Sequence, residues 1–327
     1  MYDKLTAQKN ELEKYLPLPA EIQASVDKET TTELVCVGTF FDGGSFTHKE
    51  IDEILYRDKT VSDHALTEHI EALNIAEVYK TVKENALKHA GASLDEKDVK
   101  DIHRVIVRAL DDKNAGYYRG TELNFINTER ALPSPIKVQR MMNDFGMWLY
   151  TARLLHPVSL AAEAHLRLLA VQPFARGNFH VARMLMNLIL MKHGYPPALF
   201  SRREKKEYLC AVENAVFGNS RDGYDKLVVR AVNRALEMYK KAATVQKIDA
   251  EDADPYFMRI GQLAKASGER VSALRYWTAM GLLETAGKTS ADYVLYSSDV
   301  LEKIQRLRKL KNERYTLEEI KNIIQAE

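Results

Sequence analysis

Cysteine is almost missing from this chain, with 2 in 327 residues, Cys36 and Cys210. Two thiols outside any CxxC pair supply neither a disulfide framework nor a cysteine zinc knot, and they fit a reducing, cytoplasmic setting. Net charge is lacking as well: 47 Lys and Arg stand against 46 Asp and Glu, leaving +1. Without a global field for nucleic acid or membrane, any electrostatic partner has to be read from local patches. No long apolar run is present either. The strongest, "MLMNLILM" at 184–191, is interrupted by Asn187 and is far shorter than the ~20 residues that span a bilayer. The opening "MYDKLTAQKNELEKYL" is polar from its first turn and does not read as a signal peptide. Scarce glycine (15) and proline (9) leave long stretches uninterrupted. At roughly 150 residues per domain, the length suggests about two domains.

What is there is mostly helical periodicity, so the expected class is mainly α. "LTAQKNELEKYLPLP" is an amphipathic helix stopped by Pro17 and Pro19, and "TTTELVCVGTFFDGG" is a second helix closed by a glycine pair. "THKEIDEILYR" is a third, with Thr47 as cap and Glu50 three residues on. The segment "AGYYRGTELNFINTERALPSP" alone combines strand-forming residues with turn signals, which predicts a short hairpin. The helix after Gly177 is apolar on nearly every side and should lie at the centre. From 243 to 255 the chain is polar, acidic and poor in apolar residues, which reads as a linker.

The stretch "VQPFARGNFHVARMLMNLILMKHGYPP", 171–197, carries the chemistry. A buried helix beginning just after "RGN" leaves backbone N–H groups unpaired, with the positive end of its dipole facing out. Arg176, His180 and Arg183 lie in that loop and the first turn, so a phosphate could be held there together with Gly177 and Asn178. The competing reading is a helix capped by Asn178 with solvated basic residues.

These residues resemble the core of the Fic (Fido) family, whose motif is His-(Pro)-Phe-x-(Asp/Glu)-Gly-Asn-Gly-Arg-x-x-Arg. The resemblance takes in the upstream "HPV" and "AEAHLRLL", "DVKDIHRVI", the "AGYYRGTEL" flap and the N-terminal "FFDGGSFTHKEID", or about the first 230 residues. It implies a helical bundle that transfers AMP from ATP to a hydroxyl on a target protein. Pro173, Phe174, Gly177, Asn178 and Arg183 match the motif. Gln172 stands in place of the histidine base, and a carboxamide cannot accept that proton near neutral pH. Arg176 replaces the acidic Mg²⁺ ligand, Phe179 the second glycine and His180 the first arginine. No catalytic metal ligand set is visible. ATP remains a candidate ligand, with Mg²⁺ not expected to bind as it does in the family. Family members often carry an inhibitory helix ending in Glu-Gly or Glu-Asn. Asp42-Gly43 sits at that place here, in a segment spanning about 32–44, with Asp42 in reach of Arg183. The flap residues Thr121, Glu122, Leu123 and Phe125 resemble the edge on which the family lays a target peptide.

After the linker, "IGQLAKASGERVSALRYWTAMGLLETAGKTSADYVLYSSDV" resembles the winged helix-turn-helix of the MerR family. The resemblance implies a recognition helix at about 271–280 and a wing reaching Tyr296, then two helices, the second opened by Thr316 and Glu319. Arg270, Ser272, Arg275 and Tyr276 become the DNA-contact candidates, with Lys288 on the wing. The expected domains are thus a helical region at 1–95, a Fic core at 96–242 with its hairpin flap, the linker at 243–255 and a winged helix at 256–327. The favoured function is a non-catalytic regulatory protein that senses a nucleotide or other anion and binds DNA through its tail. Alternatives are an adenylyltransferase with unorthodox residues, for which His165 or His180 would be the base, and a plain protein-interaction module. A symmetric operator needs two tails, so a homodimer formed through the Fic part is expected. No membrane association is expected.

Overall fold

The computed structural model describes residues 2–88, 93–152, 154–251, 257–288 and 294–313, together with 315, 319, 320 and 323. It divides into two compact units, 1–243 and 244–327, described separately here.

In the first unit the helices are α1 (Tyr2–Glu13), α2 (Ala20–Phe41), α3 (His48–Arg57), α4 (Leu66–Lys88) and α5 (Glu96–Ile106). They continue as α6 (Pro135–Thr151), α7 (Pro157–Val171), α8 (Asn178–Lys192), α9 (Lys205–Val216) and α10 (Asp222–Glu251). Local sequence explains several boundaries. Thr47 accepts from the Glu50 amide while the Glu50 carboxylate takes the Thr47 N–H, a complete capping box for α3. Asp95 and Asp98 do the same for α5. Pro135 and Pro157 occupy the first positions of α6 and α7, where a missing N–H costs nothing.

Helix α8 is the hub, buried from Asn178 through Leu190 and packed by α4, α5 and α7. Its one polar interruption in the apolar run, Asn187, accepts from the Ala198 N–H at 2.9 Å and so fixes the chain that follows. The predicted hairpin is reduced to a single bridge, Asn124 with Ala131, extended by hydrogen bonds from Phe125 N to Arg130 O and Leu132 N to Leu123 O. The ladder stays short because Phe125 is fully inserted into the core and Pro133 stands two residues after Ala131. The inhibitory-like segment is only the end of α2, which begins at Ala20 rather than near 32. Of the segment read as a linker, 243–251 is helical and continues α10, and the boundary between the two units falls at its start. Nothing in that polar stretch stops a helix: no glycine or proline interrupts the chain before Pro255.

In the second unit, β1 (Phe257–Arg259), α11 (Ile260–Ser267), α12 (Val271–Ala279), β2 (Gly287–Lys288), β3 (Val294–Ser297) and α13 (Val300–Asn312) enclose a small core. The sheet is antiparallel in the order β1-β3-β2, pairing Met258 with Tyr296 and Lys288 with Val294. Strand β1 was not anticipated; its three residues are too few to show alternation. Gly268 closes α11 at φ +73°, a left-handed conformation that suits glycine and turns the chain into α12. Leu263, Leu274, Trp277, Tyr296 and Ile304 form the centre of this core. The capping box proposed at Thr316 lies outside the described residues. A core this small is sensitive to a single cavity. Leu274→Ala should cost about 2–4 kcal/mol. In scanning calorimetry it should abolish or lower a minor transition of the second unit and leave the main transition of the first in place.

Candidate functional site

The site is built where α7 hands the chain to α8. Helix α7 ends at Val171, and Gln172 takes a left-handed conformation at φ 43° to turn the backbone away. Gly177, at φ 75°, is the cap of α8; a Cβ there would lie 3.2 Å from Ile106 Cγ2. Asn178 is therefore not the cap. Its amide closes the loop from within, accepting from Phe174 N at 2.9 Å and donating to Phe174 O at 2.8 Å.

Two residues outside the motif hold this loop. Arg119, buried in the flap, donates to Gln172 O (2.8 Å), Val171 O (3.2 Å), Thr121 O (2.8 Å) and Pro133 O (2.6 Å). Its own N–H reaches Pro173 O at 2.8 Å, so one side chain staples flap to loop. His103 on α5 stacks on Phe174 at 3.7 Å, accepts from Gly116 N through Nδ1 and donates through Nε2 to Arg176 O. Burial lowers its pKa to about 4, so it is a neutral structural group. Neither residue was singled out from the sequence, where one arginine in a flap and one histidine on an amphipathic helix carry no distinguishing pattern.

The three expected cations do not converge on one pocket. Arg176 is exposed in the loop, its side chain without an ion-pair partner among the described residues. Arg183 and His180 turn inward and are buried, which overturns the reading of solvated basic residues. Arg183 Nη2 meets Asp42 Oδ1 and Oδ2 at 3.2 and 3.3 Å, His180 Nδ1 at 2.9 Å and, more weakly, Gly38 O at 3.5 Å. His180 Nε2 lies 2.6 Å from Asp42 Oδ2 and 3.4 Å from Glu71 Oε1. The first contact is off the in-line direction of a hydrogen bond and is an ion-pair contact. Because Nδ1 accepts from a guanidinium, the ring as placed carries its proton on Nε2. Asp42, just past the end of α2, is thus the anion that Arg183 binds. Gly43, also at φ 112°, contributes the turn after it and no side chain.

Electrostatics follow from that cluster. Burial opposes ionisation of Asp42, but Arg183 and then His180 outweigh it and hold the carboxyl well below the usual range. Burial disfavours a charged His180, and Asp42 and Glu71 overcome this to push its pKa upward. Arg183 is likewise kept charged by Asp42 against burial. Tyr208 on α9 closes the back of the cluster; burial pushes its hydroxyl up to about 12 despite the nearby Arg183. Glu71 and Tyr208, too, were not expected at the site.

The other predicted residues sort plainly. The Gln172 side chain is buried, with Nε2 unpartnered. Phe179 faces the core beneath the flap, 6.0 Å from Phe125 and 6.4 Å from Tyr208 between ring centroids, so its bulk does not crowd the loop backbone. His165 is enclosed, bonded to the hydroxyls of Tyr208 (2.8 Å) and Tyr224 (2.9 Å), and burial lowers its pKa to about 3. Along the flap Thr121 and Glu122 are exposed, Leu123 is half-buried and Phe125 is buried. In the second unit Arg270, at the cap of α12, and Ser272, Arg275 and Tyr276 along it are all exposed, while Leu274 and Trp277 are buried. Arg270 precedes α12 without a side-chain cap bond. Lys288 belongs to β2, and its side chain lies outside the described residues.

Comparison with known proteins now gives this geometry a context. Residues 93–190 match the Fic/DOC family and residues 258–327 the MerR HTH family regulatory proteins. The chain is 28% identical over 226 residues to a protein adenylyltransferase Fic of Nematostella vectensis, covering 68% of this chain and 52% of that one. A second, from Aedes aegypti, is 27% identical over 215 residues, covering 65% and 42%. The chain thus spans about half the length of these curated relatives. Among solved structures, Fic-1 from C. elegans superposes with a TM-score of 0.65 at 22% identity, over 74% of this chain and 71% of that one. A Fic family protein from Desulfovibrio desulfuricans G20 gives 0.59 at 18% identity, over 90% and 95%. The chain carries a Fic domain followed by a MerR-type helix-turn-helix domain.

Asp42→Asn tests the central ion pair. Breaking a fully buried pair costs about 3–5 kcal/mol. With the Asp42 side chain 22% exposed, a loss of roughly 2 kcal/mol is expected. Because the folded carboxyl is held below its unfolded value, its contribution is complete above about pH 4 and fades as pH falls through the folded value. Denaturant midpoints of wild type and variant should differ most at about pH 5–6, the difference shrinking as pH rises through the raised value of His180, which loses its Asp42 support in the variant, and shrinking again in more acidic buffer.

Proposed function

We propose that this protein is a regulator built on a Fic domain without transferase chemistry, whose anion-binding position is occupied by its own Asp42, joined to a DNA-binding tail. One observation carries the reading: Arg183 and His180 are both committed to Asp42, while Gln172 offers no base at the start of the loop. A nucleotide phosphate or another anion would bind here by displacing Asp42, and the displaced helix end would be the signal.

The group that the family implies, Mg²⁺-ATP, is poorly matched by these residues. Arg176 puts an exposed cation at the place of the acidic metal ligand, which repels a divalent ion. The names of the curated relatives favour the alternative, an adenylyltransferase acting on a protein hydroxyl. Against it, His103 and His165 are buried, neutral and bonded on both ring nitrogens, and His180 faces two carboxylates rather than an open loop. A third reading, protein interaction alone, would use the exposed flap residues Thr121 and Glu122 on a segment anchored by Phe125.

For the tail, Arg270, Ser272, Arg275 and Tyr276 lie exposed together at the start of α12, as residues entering a major groove must. Among the described residues no helix is long and apolar enough to cross a membrane.

Calorimetry with ATP tests the sensor. Wild type should give little heat, Asp42→Ala should bind with or without Mg²⁺, and Asp42→Ala/Arg183→Ala should bind no longer. Transfer of labelled AMP to any protein by the wild type would defeat the proposal. Restoring the base alone, as Gln172→His, should leave transfer undetected because the metal position is still cationic. Separately, Arg275→Ala should weaken DNA binding by about 1–3 kcal/mol if it reads a base. A loss uniform over sequences, with the salt slope reduced by about 1, would assign it to a phosphate instead.

A further inference from the structure

From Ile260 to Leu283 the second unit carries a single acid, Glu269. It stands in the turn between α11 and α12, one residue before Arg270. A bare carboxylate there would repel the phosphates that the neighbouring arginines attract.

Glu269 is not bare, and it does not pair with the arginine beside it. Its partner is Arg308 on α13, 39 residues on. Arg308 Nε donates to Glu269 Oε1 at 2.9 Å, and Nη2 lies 2.7 Å from the same oxygen. Nη2 also donates to Ser267 O at 3.2 Å. One guanidinium therefore holds the carbonyl of the last residue of α11 together with the acid that precedes α12. The Glu269 side chain is left 20% exposed against 50% for Arg308, so the outer part of the pair is the cation. Arg308 is fixed in turn by α13, whose Ile304 and Leu307 are buried in the core of the unit.

The exposed arginines of α12 are arranged differently. Arg270 and Arg275 make no ion pair or side-chain hydrogen bond among the described residues. The only acid of the helix-turn-helix is thus covered from another element, while two of its arginines stay open. An exposed pair such as Arg308 with Glu269 adds little to stability. Its larger effect is on the field presented at the start of α12.

We infer that Arg308 is a positioning residue for DNA binding. It draws the Glu269 carboxylate toward α13 and covers its charge, which leaves Arg270 and Arg275 to meet DNA without a competing acid beside them. The inference rests on the DNA-binding reading of the tail. It adds that the affinity of α12 depends on a residue acting through Glu269 and not through a DNA contact of its own.

Fluorescence anisotropy of the full chain with a labelled random-sequence DNA duplex at low ionic strength reads the result. Arg308→Ala should weaken binding about 10-fold, because the uncovered carboxylate then faces the phosphates. Glu269→Gln should bind within about 3-fold of wild type. Adding Arg308→Ala to Glu269→Gln should cost less than about 3-fold, since no acid is left to cover. The slope of log affinity against log salt should be the same for wild type and Arg308→Ala, because no phosphate contact is lost. Melting temperatures should be unchanged throughout. A loss that persists in full beside Glu269→Gln would overturn the inference, and a salt slope lowered by about 1 would identify Arg308 as a phosphate contact in its own right. An Arg308→Ala protein that binds like wild type would overturn it too and leave the DNA-binding reading standing. A wild type that binds no duplex would sink that reading and this inference with it.

Discussion

A guanidinium on the most buried helix of a bundle has to be answered by a carboxylate, and most of the first unit is arranged around that requirement. Arg183 sits one turn into α8, side chain 8% exposed, and Asp42 answers it from the end of α2. Leaving either charge alone in that environment would cost several kcal/mol. The end of α2 must therefore reach α8, and other cations secure it there. Lys205 donates to Phe40 O at 2.7 Å, and Arg202 donates to Phe46 O at 3.0 Å. The Phe40 carbonyl, at the C-terminus of α2, is a natural partner for a cation, and the Arg202 contact ties down the loop that follows the helix. His180 and Glu71 extend the ion-pair cluster to α4, and Tyr208 to α9.

The loop between α7 and α8 keeps its shape by means that owe nothing to catalysis. Arg119 holds its carbonyls, His103 stacks on Phe174, Asn178 bonds both polar backbone groups of Phe174, and Gly177 supplies the left-handed turn. None of these contacts involves the side chains of Gln172, Arg176 or His180. The positions where this chain departs from the family motif can therefore change without disturbing the loop. That separation gives a physical reason why the loop can keep its frame while the residues at positions 172, 176, 179 and 180 vary.

How much of this was legible beforehand divides along the range of the interactions. The central helix, the Thr47–Glu50 capping box, the Fic domain and the MerR-type domain could all be read, because each is written in contiguous residues or regular spacing. Asp42 could be matched to Arg183 only through the family pattern; nothing local tells of a contact 141 residues apart. Glu71, Arg119, His103 and Tyr208 escaped because their roles are set by packing between elements distant in sequence. That His180 joins Arg183 on Asp42 was not legible for the same reason: three basic residues near a helix start suggest an open cradle until a carboxylate from elsewhere is placed among them. The helical course of 243–251 was missed for a different reason: polarity and acidity mark the composition of the segment and say nothing of its backbone.

The position of Asp42 also limits what could open the site. A carboxylate just past the C-terminal end of a helix faces the negative end of that helix's dipole and is held there against it. Its hold comes from Arg183 and His180 and is not intrinsic to α2, so an incoming anion competes for the Arg183 guanidinium and the His180 N–H with a partner already under some repulsion. The contest is not for Arg183 alone. If a phosphate took the guanidinium and left His180 facing Glu71 only, the histidine's charged form would lose its larger support, and part of the gain at Arg183 would be cancelled. Asp42 is itself a monoanion and meets Arg183 and His180 together, so any ligand that replaced it would have to offer acceptor oxygens to both at once.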